Sequence, residues 1–259
     1  MDLNLQNKRA LVCGASSGIG ASVALELANL GCNVVLLARN LEKLETVRKS
    51  LPNKDNHSIV SCDLFKTSHI QSSLEKTLAQ GPFHILVCNA GGPASGPLME
   101  ANEEQFLSVF HTHLLASHKL VQMLLPGMKK SGYGRIINII STSVKAPIPG
   151  LGVSNTIRGA VANWSKTLSM ELGPFGITVN NVLPGFTSTP RLEELKLASA
   201  EKKGITAEQL EKEWIATVPL RRVGSPNEVA NAVAFLASPA AAYISGINVP
   251  VDGGRTPSL

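Results

Sequence analysis

The chain has 259 residues, of which 44% are hydrophobic and 17% are charged. This length and composition predict one globular domain with a single large core, because the chain is short for two such cores. The formal net charge of +5 is spread over small pairs such as Lys129-Lys130 and Arg221-Arg222 without a long basic run, which favours solvated surface and argues against nucleic-acid binding.

Neither export nor membrane insertion is expected from the sequence. Residues 1–6 contain no apolar stretch of signal-peptide length, and no run of about eighteen apolar residues occurs in the chain. The cysteines lack the close-pair spacing of metal ligands, so we expect no metal site. We predict a cytoplasmic protein with four reduced, buried thiols, at Cys13, Cys32, Cys62 and Cys88.

Short apolar runs alternate with amphipathic segments along the chain. Runs such as Val34-Val35-Leu36-Leu37 do not alternate between polar and apolar residues, which is typical of parallel strands covered by helices on both faces. The predicted strands are Arg9–Cys13, Asn33–Ala38, Ser58–Cys62, His84–Cys88, Arg135–Ile140, Ile177–Leu183 and Ile247–Val251. The predicted helices lie at about 18–30, 41–50, 67–80, 101–131, 152–172 and 226–237. This alternation predicts an α/β fold with a doubly wound parallel sheet of the Rossmann type.

One segment interrupts this alternation. Residues 190–218 are rich in Glu, Lys and Ala and have helix-like patterning. We predict that they form a small helical flap over a substrate site. The flap is expected to belong to a single dinucleotide-binding domain that spans residues 1–259.

A glycine-rich turn follows the first apolar run and opens the first predicted helix. Gly14, Gly18 and Gly20 are spaced as GxxxGxG, which differs from the GxGxxG of many dehydrogenases. Glycines permit a tight turn and a close approach of the backbone to a pyrophosphate at the positive end of a helix. Tight turns also use glycine for steric reasons alone. The strand before and the helix after the turn favour nucleotide binding.

Together with further motifs, this turn resembles the short-chain dehydrogenase/reductase family, nearest in appearance to its 3-oxoacyl-carrier-protein-reductase-like members. The resemblance runs nearly end to end and implies an oxidoreductase with a nicotinamide nucleotide. Most of the motifs follow a predicted strand, where such sheets bind ligands. Beside the glycines, the motifs are Asp63-Leu64, Asn89-Ala90-Gly91, Pro184-Gly185 with Thr189, and Val251-Asp252-Gly253-Gly254.

The resemblance also implies roles for individual residues. It implies that Asp63 lies near the adenine, that Asn89 and Gly91 brace the cofactor side of the sheet, and that Thr189 lies near the nicotinamide amide. Asp63 is equally compatible with a turn or helix-cap role. The full set expected at the cofactor is Gly14, Ser16, Ser17, Gly18, Ile19, Gly20, Arg39, Asp63, Leu64, Asn89, Ala90, Gly91, Arg158, Pro184, Gly185, Thr187 and Thr189.

The residues at the end of the second predicted strand bear on the choice of cofactor. Where an NAD-specific member of the family carries an acidic residue for the ribose hydroxyls, this chain has Ala38 followed by Arg39. A guanidinium there can pair with a 2′-phosphate, and no carboxylate repels it. We therefore expect a preference for NADP(H), with NAD(H) possible. The alternative is that Arg39 is a solvated charge and that the selectivity is loose.

The catalytic residues are where the family pattern breaks. The strand that ends at Ser141 matches the strand that ends in the family's catalytic serine. Thirteen residues on, where the family has tyrosine, this chain has Ser154, and four residues further, where the family has lysine, it has Arg158. No shift in register restores the pair, because Tyr133 and Tyr243 are each followed four residues later by isoleucine.

These replacements change the available proton chemistry. A phenol with a pKa near 10 is within reach of tuning by a neighbouring ammonium, whereas an aliphatic hydroxyl such as that of Ser154 is a far weaker acid. Arg158 lies on the same helix face as Ser154 and can donate to the cofactor ribose, but it stays protonated and cannot complete a lysine-type relay. Loss of a general acid typically slows a reaction about 10²–10⁴-fold without abolishing it.

One histidine is a candidate substitute for the missing acid. His113 corresponds to the family's helix asparagine, and an imidazole near Ser141 and Ser154 could protonate the substrate oxygen directly or through water. His113 is equally compatible with the role that we expect for His111 and His118, that of a partly buried polar residue on a long helix. Ser141 is in turn compatible with a strand-end cap.

Two functions remain open at this point. In the first, the protein is an NADP(H)-dependent oxidoreductase that acts on an unidentified small carbonyl or alcohol substrate, with Ser141 polarising the oxygen and His113 or water supplying the proton. In the second, it is a catalytically silent NADP(H)-binding protein, a sensor or a silent subunit. The resemblance also implies a homodimer or homotetramer. Trp164 and Leu168 could lie at such an interface or in the core.

Overall fold

Seven parallel strands form one sheet in the computed structural model, which describes residues 1–258. The strand order is β3-β2-β1-β4-β5-β6-β7, so the chain reverses its direction of winding between β1 and β4. The strands are β1 (Arg9–Cys13), β2 (Asn33–Ala38), β3 (Ser58–Ser61), β4 (Ile85–Cys88), β5 (Gly134–Ile139), β6 (Ile177–Pro184) and β7 (Asn248–Val251). A doubly wound sheet binds ligands at the carboxyl ends of its strands, near such a reversal.

The helices fall where the sequence predicts them, with one exception. They are α1 (Gly18–Asn29), α2 (Leu41–Ser50), α3 (Thr67–Leu78), α4 (Glu103–Phe110), α5 (Ala116–Ser131), α6 (Gly152–Leu172), α7 (Pro190–Lys203), α8 (Ala207–Ala216) and α9 (Pro226–Ala237). The single helix predicted over 101–131 is instead divided by a π-helical turn at His111–Leu115. Such turns are rare and do not change the hydrophobic period enough to be visible in the sequence.

Local capping explains several helix starts. The side chains of Asn102, Thr206 and Ser225 each accept a hydrogen bond from the backbone N–H three residues later, which begins α4, α8 and α9. In all three cases a Gln or Glu side chain bonds back to the cap residue, which completes a capping box. These short-range signals are legible in the sequence.

The apolar core lies on both faces of the sheet. Leu36 and Leu37 are both fully buried and belong to separate core clusters, because successive side chains of a strand point to opposite faces. Helices α1 and α9 contribute to one cluster, and α3 and α5 contribute to the other. Leu168 is buried in the second cluster and Trp164 packs against it, so both side chains contribute to the core of the chain.

The four cysteines are buried free thiols, as predicted. Burial raises the pKa of Cys32 and Cys88 to about 12, which keeps these thiols protonated and unreactive. Among residues 1–258, no helix is both long and apolar enough to cross a membrane.

Candidate active site

A cavity of about 1510 Å³ lies at the carboxyl ends of the strands and below helices α7 and α8. It brings together residues from the segments after β1 to β7, which are far apart in the sequence. Of the residues predicted at the site, only Gly20 and His113 are not part of its lining. The lining includes Gly14, Ser16, Ser17, Gly18, Ile19, Arg39, Asp63, Leu64, Asn89, Ala90, Gly91, Ser141, Ser154, Arg158, Pro184, Gly185, Thr187 and Thr189.

The glycine turn is packed too closely to admit side chains. A Cβ atom on Gly20 would lie 2.2 Å from the carbonyl oxygen of Gly14, and one on Gly14 would lie 2.7 Å from Asn89 Nδ2. Gly14 also has a φ of 61°, which disfavours other residues. Asn89 Nδ2 donates to the carbonyl oxygens of Cys13 (3.3 Å) and Gly14 (3.4 Å). Asn89 therefore braces the turn from the neighbouring strand β4.

The N-terminus of α1 opens into this cavity. Its cap residue, Ser17, makes no side-chain hydrogen bond to the helix, so the side chain does not satisfy the first backbone N–H groups. Such groups, with the helix dipole, bind anionic oxygens. Thr189, the cap of α7, approaches the same point, since a Cβ on Gly18 would lie 3.2 Å from Thr189 Cγ2. These features fit a pyrophosphate between the two helix starts.

Positive charge dominates the part of the cavity beyond β2. Arg39 follows β2 directly, and Lys43 lies one turn further on in α2. Asp63 supplies the only carboxylate among the described residues that line the cavity, and its Oδ1 accepts a hydrogen bond from Phe65 N at 3.1 Å. Asp63 therefore combines a turn role with a place in the lining. Lys43 was not predicted at the site. Its position four residues after Arg39, one helical turn away, is the signal in the sequence that could have identified it.

Ser141 has its oxygen fixed at the edge of the cavity. It caps a short 3-10 turn at Thr142–Val144, and its Oγ accepts a hydrogen bond from Ser143 N at 3.1 Å. The cap role and the site role considered for Ser141 are therefore compatible. Because Oγ acts as an acceptor in this bond, its own hydrogen remains available for an acceptor in the cavity.

Arg158 is a buried cation on α6, one turn after Ser154. Its Nη1 donates to the carbonyl oxygen of Ile139 at 2.8 Å, whereas its buried Nε has no hydrogen-bond partner. No carboxylate lies within ion-pair distance of it in the described part of the chain. Burial lowers the pKa of Arg158 to about 10, so the guanidinium remains charged at neutral pH without a counter-ion.

A buried polar network holds α6 against the sheet. Asn138 Nδ2 on β5 donates to Ser165 Oγ on α6 at 2.9 Å, and Ser165 Oγ donates to Asn181 Oδ1 on β6 at 2.8 Å. Asn181 Nδ2 continues to Asn248 Oδ1 on β7 at 2.8 Å. All but Asn248 are buried. These bonds join α6 to β5 and β6 in the interior and so position the helix that carries Ser154 and Arg158.

The structure places His113 away from the large cavity. It lies in the π-helical turn, where its Nε2 is 3.0 Å from the carbonyl oxygen of Gly91. It lines a separate space of about 10 Å³ that is closed by residues such as Ser117 and Asn138. Burial, and then the charge of Arg158, lower the pKa of His113 to about 3. A neutral imidazole that donates to Gly91 is poorly placed to protonate a substrate.

Of the other two helix histidines, His111 is partly buried as expected, whereas His118 is not. His111 is partly buried, with its ring 5.9 Å from that of Phe65. His118 is exposed, and its Nδ1 accepts a hydrogen bond from Trp164 Nε1 at 3.4 Å. Neither residue is part of the cavity lining.

The segment predicted as a flap forms the roof of the cavity. Helix α7 lines it with one face, from Arg191 to Lys203. Arg191 Nη2 donates to the carbonyl oxygen of Pro93, and Lys202 Nζ to that of Ser95 at 3.5 Å. These bonds join the roof to the loop after β4 and close the cavity on that side.

The cavity also has an aromatic wall, which was not predicted from the sequence. The rings of Phe186 and Trp214 stack with centroids 4.8 Å apart, and the guanidinium of Arg255 lies 4.4 Å from the centroid of Phe186. All three residues line the cavity. Phe186 follows the Pro184-Gly185 motif, which is the one signal in the sequence that could have identified it.

Comparisons with known proteins find relatives that share this fold. The family model described as Enoyl-(Acyl carrier protein) reductase matches residues 14–256. The chain is 32% identical over 259 residues to the NADPH-dependent reductase BacG of Bacillus subtilis, covering 98% of this chain and 100% of that protein. It is 34% identical over 252 residues to the 3-oxoacyl-[acyl-carrier-protein] reductase FabG of Rickettsia felis, covering 97% and 98%. The structure of L-sorbose reductase from Gluconobacter frateurii, complexed with NADPH and L-sorbose, is 30% identical with a TM-score of 0.93 and full coverage of both chains.

Proposed function

The chain belongs to the short-chain dehydrogenase/reductase family, and we propose that it is an NADP(H)-dependent oxidoreductase that acts on a carbonyl or alcohol substrate. The observation that carries this proposal is the glycine turn between β1 and α1, which is braced by Asn89 and opens into the large cavity. Two of the similar proteins support the choice of cofactor, since BacG is named NADPH-dependent and the sorbose reductase structure contains NADPH.

The residues of the cavity fit a dinucleotide. The α1 N-terminus and Gly18 would hold the pyrophosphate, and Asp63 with Leu64 would lie at the adenine. Arg39 and Lys43 would face the 2′-phosphate of the adenosine ribose, where a carboxylate would oppose it. We therefore favour NADP(H), with NAD(H) as a weaker ligand.

The nicotinamide would supply the hydride, and the protein must polarise and protonate the oxygen of the substrate. We assign Ser141 to donate its hydroxyl hydrogen to that oxygen. The charge of Arg158 would stabilise negative charge as it develops there, because a fixed cation in a site of low dielectric is effective. Ser154 would occupy the place of the missing phenol without its acidity.

Water is the proposed source of the proton. Arg158 holds its protons at neutral pH, and His113 is neutral and bonded to Gly91, so neither is suited to deliver one. The short Ser154 side chain leaves room for a water molecule where a tyrosine ring would otherwise lie. His113 is therefore not assigned as the acid.

The second candidate is a catalytically silent NADP(H)-binding protein. The observation that favours it is the bond from Arg158 to the Ile139 carbonyl, which turns part of the guanidinium away from a ligand. In this case the same cavity would bind the nucleotide as a sensor or a silent subunit does.

Turnover separates the two candidates. We expect the native protein to oxidise NADPH with at least one member of a panel of ketones and 3-oxoacyl thioesters, and Ser141→Ala to remove most of that activity. A native protein that binds NADPH but is inactive on the whole panel, while Ser154→Tyr/Arg158→Lys is active, would establish the silent candidate. A protein that binds neither NADPH nor NADH would exclude both.

The proposal also extends to the organisation of the protein. We propose a single domain in which 190–218 acts as the substrate flap, supported by the position of α7 and α8 over the cavity. We propose a homodimer or homotetramer as well, supported by exposed apolar side chains such as Leu107 and Met170 on the outer faces of α4 and α6. The native mass in solution tests this assembly.

A further inference from the structure

Positively charged side chains are in excess at the proposed substrate end of the cavity. Arg39 and Lys43 lie at the proposed adenosine end, with Asp63. Beyond them, the described lining carries cations and no carboxylate. These cations are Arg158, Arg191, Lys202, Lys203 and Arg255.

Some of these cations are neutralised by partners outside the cavity. Arg191 pairs with Glu194 at 3.3 Å, and Lys203 pairs with Glu213 at 2.7 Å. Arg158, Lys202 and Arg255 have no carboxylate within 4.0 Å among residues 1–258. The cavity therefore contains three cations without an ion-pair partner among the described residues, of which Arg158 is buried.

Arg255 is the best placed of the three to recognise a substrate. It follows β7, the edge strand next to β6, and so lies at the far end of the sheet from Arg39. Its Nε donates to Thr217 Oγ1 at 3.2 Å and its guanidinium lies against the ring of Phe186. Among the described residues, no acceptor binds its two terminal nitrogens.

One acidic residue, Asp252, acts on Arg255 without forming an ion pair with it. Asp252 influences it electrostatically, but its oxygens accept hydrogen bonds from Gly254 N at 3.0 Å and Thr256 N at 2.7 Å. Arg255 is half-buried, and burial lowers its pKa. A guanidinium that is partly desolvated, held in position and open at its fork is suited to a bidentate oxyanion.

We infer that the substrate carries an oxyanion, a carboxylate or a phosphate, which the terminal nitrogens of Arg255 bind while Lys202 and the buried Arg158 add favourable charge. This inference deepens the proposed function and rests on it. The wall of Phe186 and Trp214 would contact the apolar body of the same molecule.

Two matched pairs of compounds test this inference and distinguish the two anions. They are benzoylformate with its neutral methyl ester, and acetoacetyl-pantetheine 4′-phosphate with acetoacetyl-pantetheine. We expect the anion of at least one pair to have the lower KM. Loss of a charge-assisted hydrogen bond in Arg255→Gln should raise that KM about 10- to 100-fold and leave the KM of the neutral compound unchanged.

Matched variants control for charge and folding. Lys212→Gln removes one charge from the exposed side of α8, outside the cavity lining, and should change neither KM. Arg255→Lys retains the charge but loses the fork, so it should fall between the native protein and Arg255→Gln. Equal KM values within both pairs, or an Arg255→Gln variant that weakens the anion and the neutral compound alike, would overturn the inference.

Binding measurements keep this test separate from the proposed function. The affinity of the two anions for the native protein and for Arg255→Gln can be measured by calorimetry, with and without NADPH. Arg255-dependent binding of an anion without any turnover would contradict the proposed function alone. Absence of anion binding in a protein that reduces neutral ketones with NADPH would contradict this inference alone.

Discussion

The side chains of Arg158 and His113 are close enough for the charge of one to lower the pKa of the other. Arg158 has no carboxylate partner, and His113 is neutral and bonded to the carbonyl of Gly91. A second positive charge beside an unpaired guanidinium would be costly in a buried environment. Burial, and then the charge of Arg158, lower the pKa of His113, which is why we do not propose His113 as the acid.

The depressed pKa of His113 predicts sensitivity of the fold to acid. The pKa of an unfolded histidine is about 6.5, whereas that of His113 is about 3. Above about pH 7.5 the residue contributes almost no pH dependence. As the pH falls from 6.5 towards 3, the unfolded state takes up a proton that the folded state does not, so stability falls. The expected loss from this residue is about 2 kcal/mol between pH 7.5 and 5.

Urea unfolding at pH 7.5, 6 and 5 measures this effect. His113→Asn should have a shallower decrease in the free energy of unfolding than the native protein over that range. His69→Asn, which removes an exposed histidine from α3, serves as the control and should retain the native slope. The same slope in the native protein and in His113→Asn would show that the pKa of His113 is not lowered in the folded state.

At the scale of elements, the glycine turn brings the start of helix α1 close to Asn89, which follows strand β4. This close approach is possible because Gly14 and Gly20 have no side chains. A helical Gly-to-Ala change normally stabilises a helix by up to about 1 kcal/mol. At Gly20 the added Cβ would instead lie 2.2 Å from the Gly14 carbonyl and 2.8 Å from Asn89 Nδ2. The backbone must move to accept it, and this backbone is the proposed pyrophosphate site.

We expect Gly20→Ala to lower the free energy of unfolding by about 1–3 kcal/mol, as overpacked sites do, and to abolish detectable NADPH binding. Gly159 in α6 offers a matched comparison, since a Cβ there meets nothing within 4 Å. Gly159→Ala should raise stability by up to about 1 kcal/mol. Chemical denaturation and NADPH fluorescence measure both effects. Native affinity in Gly20→Ala would contradict the assignment of this turn.

At the scale of the whole molecule, the cavity links the segments that follow the seven strands of the described sheet with the roof of α7 and α8. A ligand that binds across these loops stabilises the folded state in proportion to the logarithm of its concentration over its dissociation constant. Binding should therefore be visible as a global change in stability. The same measurement, made with NADPH and with NADH, shows which nucleotide binds more tightly.

We expect NADPH at 100 times its dissociation constant to raise the free energy of unfolding by about 2.7 kcal/mol, and NADH at the same concentration to raise it less. Arg39→Ala/Lys43→Ala should narrow this difference by about 1 kcal/mol, a modest effect because exposed charges are screened by solvent. Thermal or chemical unfolding with each nucleotide measures it. An unchanged difference in the double variant would place the 2′-phosphate elsewhere.

The sequence by itself determined the alternation of strands and helices, the parallel sheet and the glycine turn. These follow from local properties: two-sided hydrophobic runs require burial on both faces, and short-range caps set the helix starts. The seven strands lie within one residue of the predicted ranges at each end. The family motifs likewise follow the ends of these strands, which is why most of the predicted site residues line one cavity.

Only the tertiary structure decided which charges are paired and which groups are desolvated. The isolation of Arg158, the neutral state of His113 and the aromatic wall of Phe186 and Trp214 depend on contacts between residues far apart in the sequence. Arg255 follows the Val251-Asp252-Gly253-Gly254 motif but was not predicted at the site, and it reaches the cavity because β7 lies beside β6. Burial and electrostatic interactions are set by neighbours in space, and the local pattern of a sequence does not specify those neighbours.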